Sequence, residues 1–326
     1  MILPYLARLI CLCLAAFFLV HAALGLAISL LTPVAVRFAI RMSPVHGARL
    51  LLALRLLPPA FALFIVAGLC APSYFYLEPK GSPEEIGLAC LGAVALSLAV
   101  GGRAIARAAR ALVLSRRHSR QCREQSREIR LAGEPTPSWV IEGNSPCVAL
   151  TGLVRPRIVI STRVLAELSA DQLAAVVRHE RAHGVSYDNL KRLLVLLSPG
   201  ILPFASGFRE LERAWAKITE WAADDRASAG NSRRSLSLAA ALVRVARLGS
   251  VAPVPALATS LMADGADLSE RVDRLLQPAD HASRGGRREP ILTATAGLLL
   301  TGALAAVLAQ PATLESAHEC LEFLIH

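Results

Sequence analysis

The chain has 326 residues, 54% of them hydrophobic, a formal net charge of +10 and a mean hydropathy of +0.48. This composition excludes an ordinary soluble protein, because much of the chain is apolar enough to belong in lipid. The positive charge does not predict direct nucleic-acid binding, since the arginine-rich run at residues 103–130 lacks the interleaved aromatic residues that stack on bases.

Four apolar segments have roughly the 20-residue length that a membrane-spanning helix needs. The first three, at residues 9–31, 52–76 and 86–102, predict an N-terminal membrane domain over residues 1–102. The fourth covers residues 291–309 and precedes a short tail at 310–326. The first segment is too long for the core of a signal peptide, so we expect it to remain in the protein.

Positive charge predicts the orientation of these spans. The connection between the first two spans carries Arg37, Arg41 and Arg49, and residues 103–130 hold a dense basic run, whereas the tail contains no Lys or Arg. The positive-inside rule then predicts a multi-pass protein of the bacterial inner (plasma) membrane. Residues 103–290 would lie in the cytoplasm, beside anionic lipid headgroups, and both termini outside.

Three short β-rich runs follow the basic stretch, at Trp139–Glu142, Cys147–Leu150 and Arg157–Ser161. They predict a small sheet packed on the next helix. If the last run is an edge strand, it could bind an extended peptide by strand addition, and otherwise the strands only complete the core.

The most specific motif is His179-Glu180-Arg-Ala-His183, in a predicted helix with a capping box at Ser169 and Gln172 and a stop at Gly184. Histidines four residues apart project from one helix face and can share a zinc ion. Glu180 is placed to act as general base toward a metal-activated water. The competing interpretation is a surface helix with solvated side chains.

A zinc site that keeps one position open needs a third protein ligand. Glu220 is the candidate, because it lies in a second predicted helix at about 207–229 with a buried apolar stripe. Asp224, one turn later, would accept a hydrogen bond from a ligand histidine and fix its tautomer. Asp188 either supports the site or caps the next helix.

Several other features of the sequence allow more than one interpretation. Tyr187 and His281 are weak candidates for stabilising an oxyanion. The apolar patch at residues 193–204 is either a segment that grazes the membrane or a buried helix and turn. A transporter would need ionisable groups inside the spans, and His21 and Arg55, the latter close enough to an end to snorkel, give little support.

These motifs resemble the BlaR/MecR-type membrane metallopeptidases, an antirepressor family linked to β-lactam sensing. The order of membrane spans and cytoplasmic domain over residues 1–310 is similar to that of the family. The most specific matches are Ser145-Pro146, Gly152–Ile160, His179–His183, Tyr187–Asn189, Glu220–Asp224 and Leu268–Leu276. It implies three zinc ligands (His179, His183 and Glu220), Glu180 as general base and Asp224 in support. Members of that family continue into a penicillin-binding sensor, for which this chain shows no sequence, so a separate sensor partner is expected.

The sequence therefore predicts a mainly α-helical membrane protein with four transmembrane helices. A cytoplasmic α+β zincin-like metallopeptidase domain lies between helices 3 and 4, at residues 103–290. The expected activity is zinc-dependent (Zn²⁺) endopeptidase cleavage of a protein substrate in regulatory signalling, such as inactivation of a transcriptional repressor. The alternatives are a gluzincin-like membrane quality-control or processing protease and a non-catalytic zinc-binding scaffold.

Overall fold

The computed structural model describes residues 4–78, 86–130, 138–143, 145–200, 207–249, 255–261, 268–277, 310, 312–316 and 319–320. These residues form a mainly helical structure with one small mixed sheet. The predicted fourth span at 291–309 and His281 lie outside the described residues.

The N-terminal part consists of long apolar helices: α1 (Tyr5–Arg41), α2 (Pro44–Ile65), a π-helical turn (Val66–Cys70), α3 (Ala71–Leu77) and α4 (Leu88–Gln125). Three continuous helical stretches are long and apolar enough to cross a membrane, namely Tyr5–Arg41, Pro44–Leu77 and Leu88–Gln125. They extend the predicted spans, because the flanking alanine- and arginine-rich sequence also favours helix. At 37 and 38 residues, α1 and α4 are longer than a bilayer core of about 30 Å requires.

Gly47 permits the close packing of α1 against α2. A Cβ atom at this position would lie 2.5 Å from the carbonyl oxygen of Ala39, so any side chain must separate the two helices. We expect Gly47→Ala to destabilise the protein by about 1–3 kcal/mol, measured as a lower melting temperature in detergent. Gly101→Ala is the matched control, because its Cβ would meet nothing within 4 Å. An equal response of the two variants would contradict this close contact.

The sheet contains the three predicted strands and two that the sequence did not reveal. Its strands are β1 (Ser126–Ile129), β2 (Ser138–Ile141), β3 (Val148–Thr151), β4 (Arg157–Ser161) and β5 (Thr259–Ser260), in the order β1-β2-β4-β3-β5. β2 and β4 are parallel, and the other neighbouring pairs are antiparallel.

Of the two alternatives for Arg157–Ser161, the edge strand is wrong, because β4 is paired on both sides, with β2 and β3. Its backbone groups are therefore not available to an added peptide. β3 would have been the neighbouring edge, but β5 pairs with Ala149 and Leu150 there. Neither β1 nor β5 shows an alternating apolar pattern, which is why the sequence did not predict this order.

In the described part of the chain, the sheet is accompanied by six helices: α5 (Thr162–Glu167), α6 (Ala170–Val185), α7 (Asp188–Leu197), α8 (Gly207–Ser228), α9 (Ser232–Arg247) and α10 (Leu268–Leu276). Their core joins Leu150 and Ile160 of the sheet to Val176 of α6 and to Leu238 and Leu242 of α9. α6 is thus held between the sheet and α9, which fixes the helix that carries His179, Glu180 and His183.

Helices α7 and α8 pack directly on the membrane helices. Trp215 and Ile218 of α8 share an apolar cluster with Ile28 of α1 and Leu51 of α2. Arg55 of α2 is buried there. Its Nε donates to Oε1 of Glu212 at 2.7 Å, and its Nη1 donates to the hydroxyl of Ser198.

The expectation that Arg55 snorkels to the membrane surface is therefore wrong, because its guanidinium is used to join α2 to α7 and α8. The apolar patch predicted at residues 193–204 begins within α7, which is amphipathic rather than fully buried. Leu190, Leu194 and Leu197 of α7 are exposed, whereas Val195 is buried. The end of the patch, at residues 201–204, lies outside the described residues.

Candidate metal centre

Helix α6 begins as the sequence predicts. The hydroxyl of Ser169 accepts a hydrogen bond from the backbone N–H of Gln172 at 3.4 Å, and the Gln172 side chain accepts one from the N–H of Ser169 at 3.0 Å, which confirms the capping box. The helix passes the predicted stop at Gly184 and ends at Val185. Tyr187, with a φ of 55°, makes the left-handed turn that a glycine was expected to make.

Three donor side chains converge between α6 and α8. The Nε2 atoms of His179 and His183 lie 3.2 Å apart. Oε2 of Glu220 lies 3.4 Å from Nε2 of His179, and its Oε1 lies 3.5 Å from Nε2 of His183. Both histidines are fully buried, so the solvated-surface interpretation of the motif does not apply.

This donor set fits a zinc ion. Ligand atoms held at about 2.0–2.1 Å by one tetrahedral zinc lie roughly 3.3 Å from one another. The two Nε2 atoms are 3.2 Å apart, and each has one Glu220 oxygen at 3.4 or 3.5 Å. Two imidazoles and one carboxylate are also a donor set that zinc takes in catalytic sites with an open fourth position. Among the described residues, these three form the one cluster of histidine, cysteine and acidic side chains with metal-binding spacing.

Two further carboxylates orient the imidazoles. Oδ1 of Asp224 lies 2.8 Å from Nδ1 of His179, and Oδ2 of Asp188 lies 2.8 Å from Nδ1 of His183. A carboxylate at this distance favours the tautomer with the proton on Nδ1, which leaves the lone pair of Nε2 to face the centre. The contacts of Asp188 favour a role in the site, because its carboxylate contacts His183 and Lys191 while Tyr187 occupies the cap position.

The electrostatics of the centre favour a cation. Burial lowers the pKa of His183, but the Glu220 and Asp188 carboxylates outweigh burial and raise it to about 10. Burial raises the pKa of Glu220, but His183 and Arg271 hold it well below its usual range. A field that favours positive charge on the imidazoles equally favours a divalent cation bound between them.

Glu180 is buried beside the donor set without contributing to it. Its relative exposure is 0%, and neither carboxylate oxygen has a hydrogen-bond partner among the described residues. Burial raises its pKa to about 7, against the opposing effect of His179 and His183. A carboxylate kept free of partners is able to exchange a proton with a small molecule such as water.

Arg271 of α10 completes the centre, although the sequence motifs did not predict it. Its Nε and Nη2 donate to the two carboxylate oxygens of Asp224, both at 2.8 Å, and its Nη1 donates to the carbonyl oxygen of Leu261 at 2.8 Å. Nη1 also lies 3.2 Å from Oε2 of Glu220. Burial lowers the pKa of Arg271, but the Asp224 and Glu220 carboxylates outweigh it, so the guanidinium stays charged.

A signal for this role was present in the sequence. Leu268, Val272 and Leu275 form the apolar face of α10 that packs on the core, and Arg271 stands on the same face. An arginine in an apolar stripe needs a buried partner. Of the weaker candidates, Tyr187 is 60% exposed, as expected for a solvated residue, and His281 is outside the described residues.

The contact between Asp188 and His183 predicts a measurable effect on metal affinity. We expect Asp188→Ala to raise the zinc dissociation constant by about 10–100-fold, because the imidazole loses the acceptor that fixes its orientation. Competition with a chromophoric chelator measures this constant. Asp225→Ala is the control, since Asp225 is a half-exposed carboxylate on α8 that pairs with Arg274. An affinity equal to that of the control would contradict the assigned role.

A buried centre of two histidines and a glutamate, with a free carboxylate beside it, is typical of a metallopeptidase. Residues 115–252 match the profile described as peptidase family M48. This match covers β1 to β4 and helices α5 to α9, including His179, His183 and Glu220, and supports a metallopeptidase of that family. No curated protein matches the chain.

Proposed function

We propose that this protein is a membrane-anchored zinc endopeptidase that hydrolyses peptide bonds in a protein substrate close to the membrane. The observation that carries the proposal is the joint burial of the three converging donor atoms and the unpartnered carboxylate of Glu180. His179, His183 and Glu220 would hold the zinc ion. When bound, the ion supplies Lewis-acid chemistry, which acidifies a water molecule and polarises the substrate carbonyl.

Glu180 does the proton chemistry in this proposal. Its carboxylate takes a proton from the attacking water and later delivers a proton to the nitrogen of the departing amine. Asp188 and Asp224 hold the ligand imidazoles in the tautomer that turns Nε2 toward the centre. Arg271 keeps Asp224 ionised and in place through its two hydrogen bonds.

The packing of α7 and α8 on α1 and α2 supports a substrate at the membrane surface, because the helix that supplies Glu220 also contacts the apolar helices. The positive-inside pattern supports a cytoplasmic active site in a bacterial inner membrane, with the N-terminus and the tail at 310–326 on the other side. Residues 103–290 are then the cytoplasmic domain.

The regulatory role rests on the sequence resemblance to BlaR/MecR-type antirepressors. Under this proposal the substrate is a transcriptional repressor, and a separate sensor protein controls cleavage. The match to peptidase family M48 supports a second candidate, a membrane quality-control or processing protease. Growth with an inducing antibiotic separates the two, because only an antirepressor changes the level of an intact repressor when the inducer is present.

Removal of the metal tests the proposal directly. We expect the full-length protein purified in detergent to hold about one zinc per chain, as three donors in one cluster predict. Hydrolysis of an unfolded substrate such as casein should stop when a chelator removes the metal and return when zinc is added. A metal-free preparation that still cleaves casein, or loading with zinc that leaves the rate at zero, would contradict the proposal.

A further inference from the structure

A cavity lies beside the metal centre, between the start of α2, the α6–α7 turn and α8. Its volume is about 410 Å³, within the range of about 300–1,000 Å³ that is usual for small-molecule sites. The lining combines three cations, Arg49, Lys191 and Arg226, with an apolar wall that includes Leu52 and Trp215. The proposed peptidase chemistry uses none of these five side chains.

Two of the cations that line this cavity, Arg49 and Arg226, have hydrogen-bond donors available to a ligand. Arg49 is exposed on the second turn of α2. Nη1 of Arg226 donates to the carbonyl oxygen of Ala182 at 3.0 Å and to the hydroxyl of Ser186, which leaves the Nε and Nη2 donors of that guanidinium. Among the described residues that line the cavity, Asp188 is the one carboxylate, so cations exceed anions there.

Thr219 supplies an independent observation. It is 5% exposed and lines the cavity. Its buried hydroxyl oxygen has no hydrogen-bond partner among the described residues. A buried hydroxyl is costly without a partner, and a shift of the Thr219 side chain toward the cavity would let an oxyanion there accept its hydrogen bond. The hydroxyl and the cations therefore call for the same kind of ligand.

The surroundings of the cavity are suited to a lipid. Its α2 wall lies just after the turn at which α1 ends and α2 begins, at the end of two apolar helices. Lys191 stands on α7 next to the exposed leucines Leu190 and Leu194. A ligand with an anionic head in the cavity can thus lay an apolar chain along α7.

We propose that this cavity binds the phosphate headgroup of an anionic phospholipid. Phosphate presents several acceptor oxygens, which suits the forked donors of Arg49 and Arg226 better than a single carboxylate does. Nζ of Lys191 lies 2.8 Å from Oδ1 of Asp188, whose other oxygen contacts His183. The headgroup site therefore lies one side chain away from the metal centre.

Native mass spectrometry of the full-length protein in detergent tests this site without any peptidase activity. Phosphatidylglycerol and phosphatidylcholine with the same acyl chains are titrated separately. We expect one retained phosphatidylglycerol, bound about tenfold more tightly than phosphatidylcholine. The double variant Arg49→Gln/Arg226→Gln should weaken phosphatidylglycerol binding by about tenfold or more.

Arg37→Gln/Arg41→Gln is the matched control, because it removes two exposed cations at the end of α1 that do not line the cavity. We expect it to change binding by no more than about twofold. Equal loss in both double variants, or equal binding of the two lipids, overturns the proposal. Displacement of phosphatidylglycerol by millimolar inorganic phosphate also overturns it, since free phosphate would then be the ligand.

A second variant distinguishes the loss of a lipid contact from a loss of folding. Thr219→Val keeps the shape and every charge but removes the unpartnered hydroxyl, so we expect about fivefold weaker phosphatidylglycerol binding at an unchanged melting temperature. Undiminished binding in this variant, together with undiminished binding in Arg49→Gln/Arg226→Gln, would place the lipid elsewhere. Because zinc and hydrolysis do not enter these readouts, the result is independent of the proposed activity.

Discussion

Glu180→Gln is expected to reduce the rate of peptide hydrolysis by about 10²–10⁴-fold and to leave bound zinc unchanged. The glutamine amide cannot accept a proton from water at neutral pH, so the proton transfer loses its base. The metal is retained because Glu180 is not one of the three converging ligands. Casein hydrolysis and elemental analysis of the same sample measure the two effects.

The loss of activity in Glu180→Gln must be separated from a loss of folding. Glutamine has nearly the same shape and replaces a buried carboxylate whose oxygens have no partner among the described residues. The melting temperature should therefore stay the same or rise. Asp171→Asn is the matched control on α6, since it removes a charge at an exposed ion pair with Arg233 and should keep the wild-type rate.

Equal rates of casein hydrolysis in Glu180→Gln and Asp171→Asn would contradict the peptidase mechanism. That result, with zinc still bound, would favour the remaining alternative, a scaffold that keeps a structural metal. Structural zinc sites are normally closed by four protein ligands, whereas the described residues offer three. The geometry thus supports a catalytic site.

Local sequence patterns predicted the helices that carry the centre. The apolar stripe and capping box of α6 depend on residues three and four apart, and they place His179 and His183 on one face whatever the rest of the fold does. The same reasoning predicted α8 at about 207–229, against Gly207–Ser228 in the structure. Spacing alone could not bring Glu220 to the histidines, because that contact depends on how two helices pack.

Long-range pairing is what the sequence could not supply. β4 becomes interior only because β2 and β3 both pair with it. β5, which pairs with β3, is a two-residue segment more than one hundred positions after β3. The expectation for Arg55 failed for the same reason. A guanidinium near a helix end can snorkel to the membrane surface, but Arg55 instead pairs with Glu212, which is distant in the sequence. Both errors come from contacts made across the chain, not from misjudged local propensity.

Arg271→Met is expected to destabilise the protein more than any other single change considered above. The variant removes the bidentate partner of the buried Asp224 carboxylate, and breaking a buried ion pair by removing one partner costs about 3–5 kcal/mol. The melting temperature should fall by roughly 6–20 °C. Zinc affinity should fall as well, because Asp224 orients His179 and Arg271 also contacts Glu220.

Two comparisons assign that effect to the pairing of Arg271 with Asp224. Arg274→Met, on the same helix, removes a cation that pairs with half-exposed Asp225, so it should cost no more than about 1 kcal/mol. Arg271→Met/Asp224→Asn removes both buried charges, so it should melt at a higher temperature than Arg271→Met alone. If Arg271→Met and Arg274→Met melt alike, or if the second change brings no recovery, the buried pair does not hold α10 against the metal centre. Recovery by the double variant would show that α10 is fixed by charge pairing at the site as well as by its apolar face.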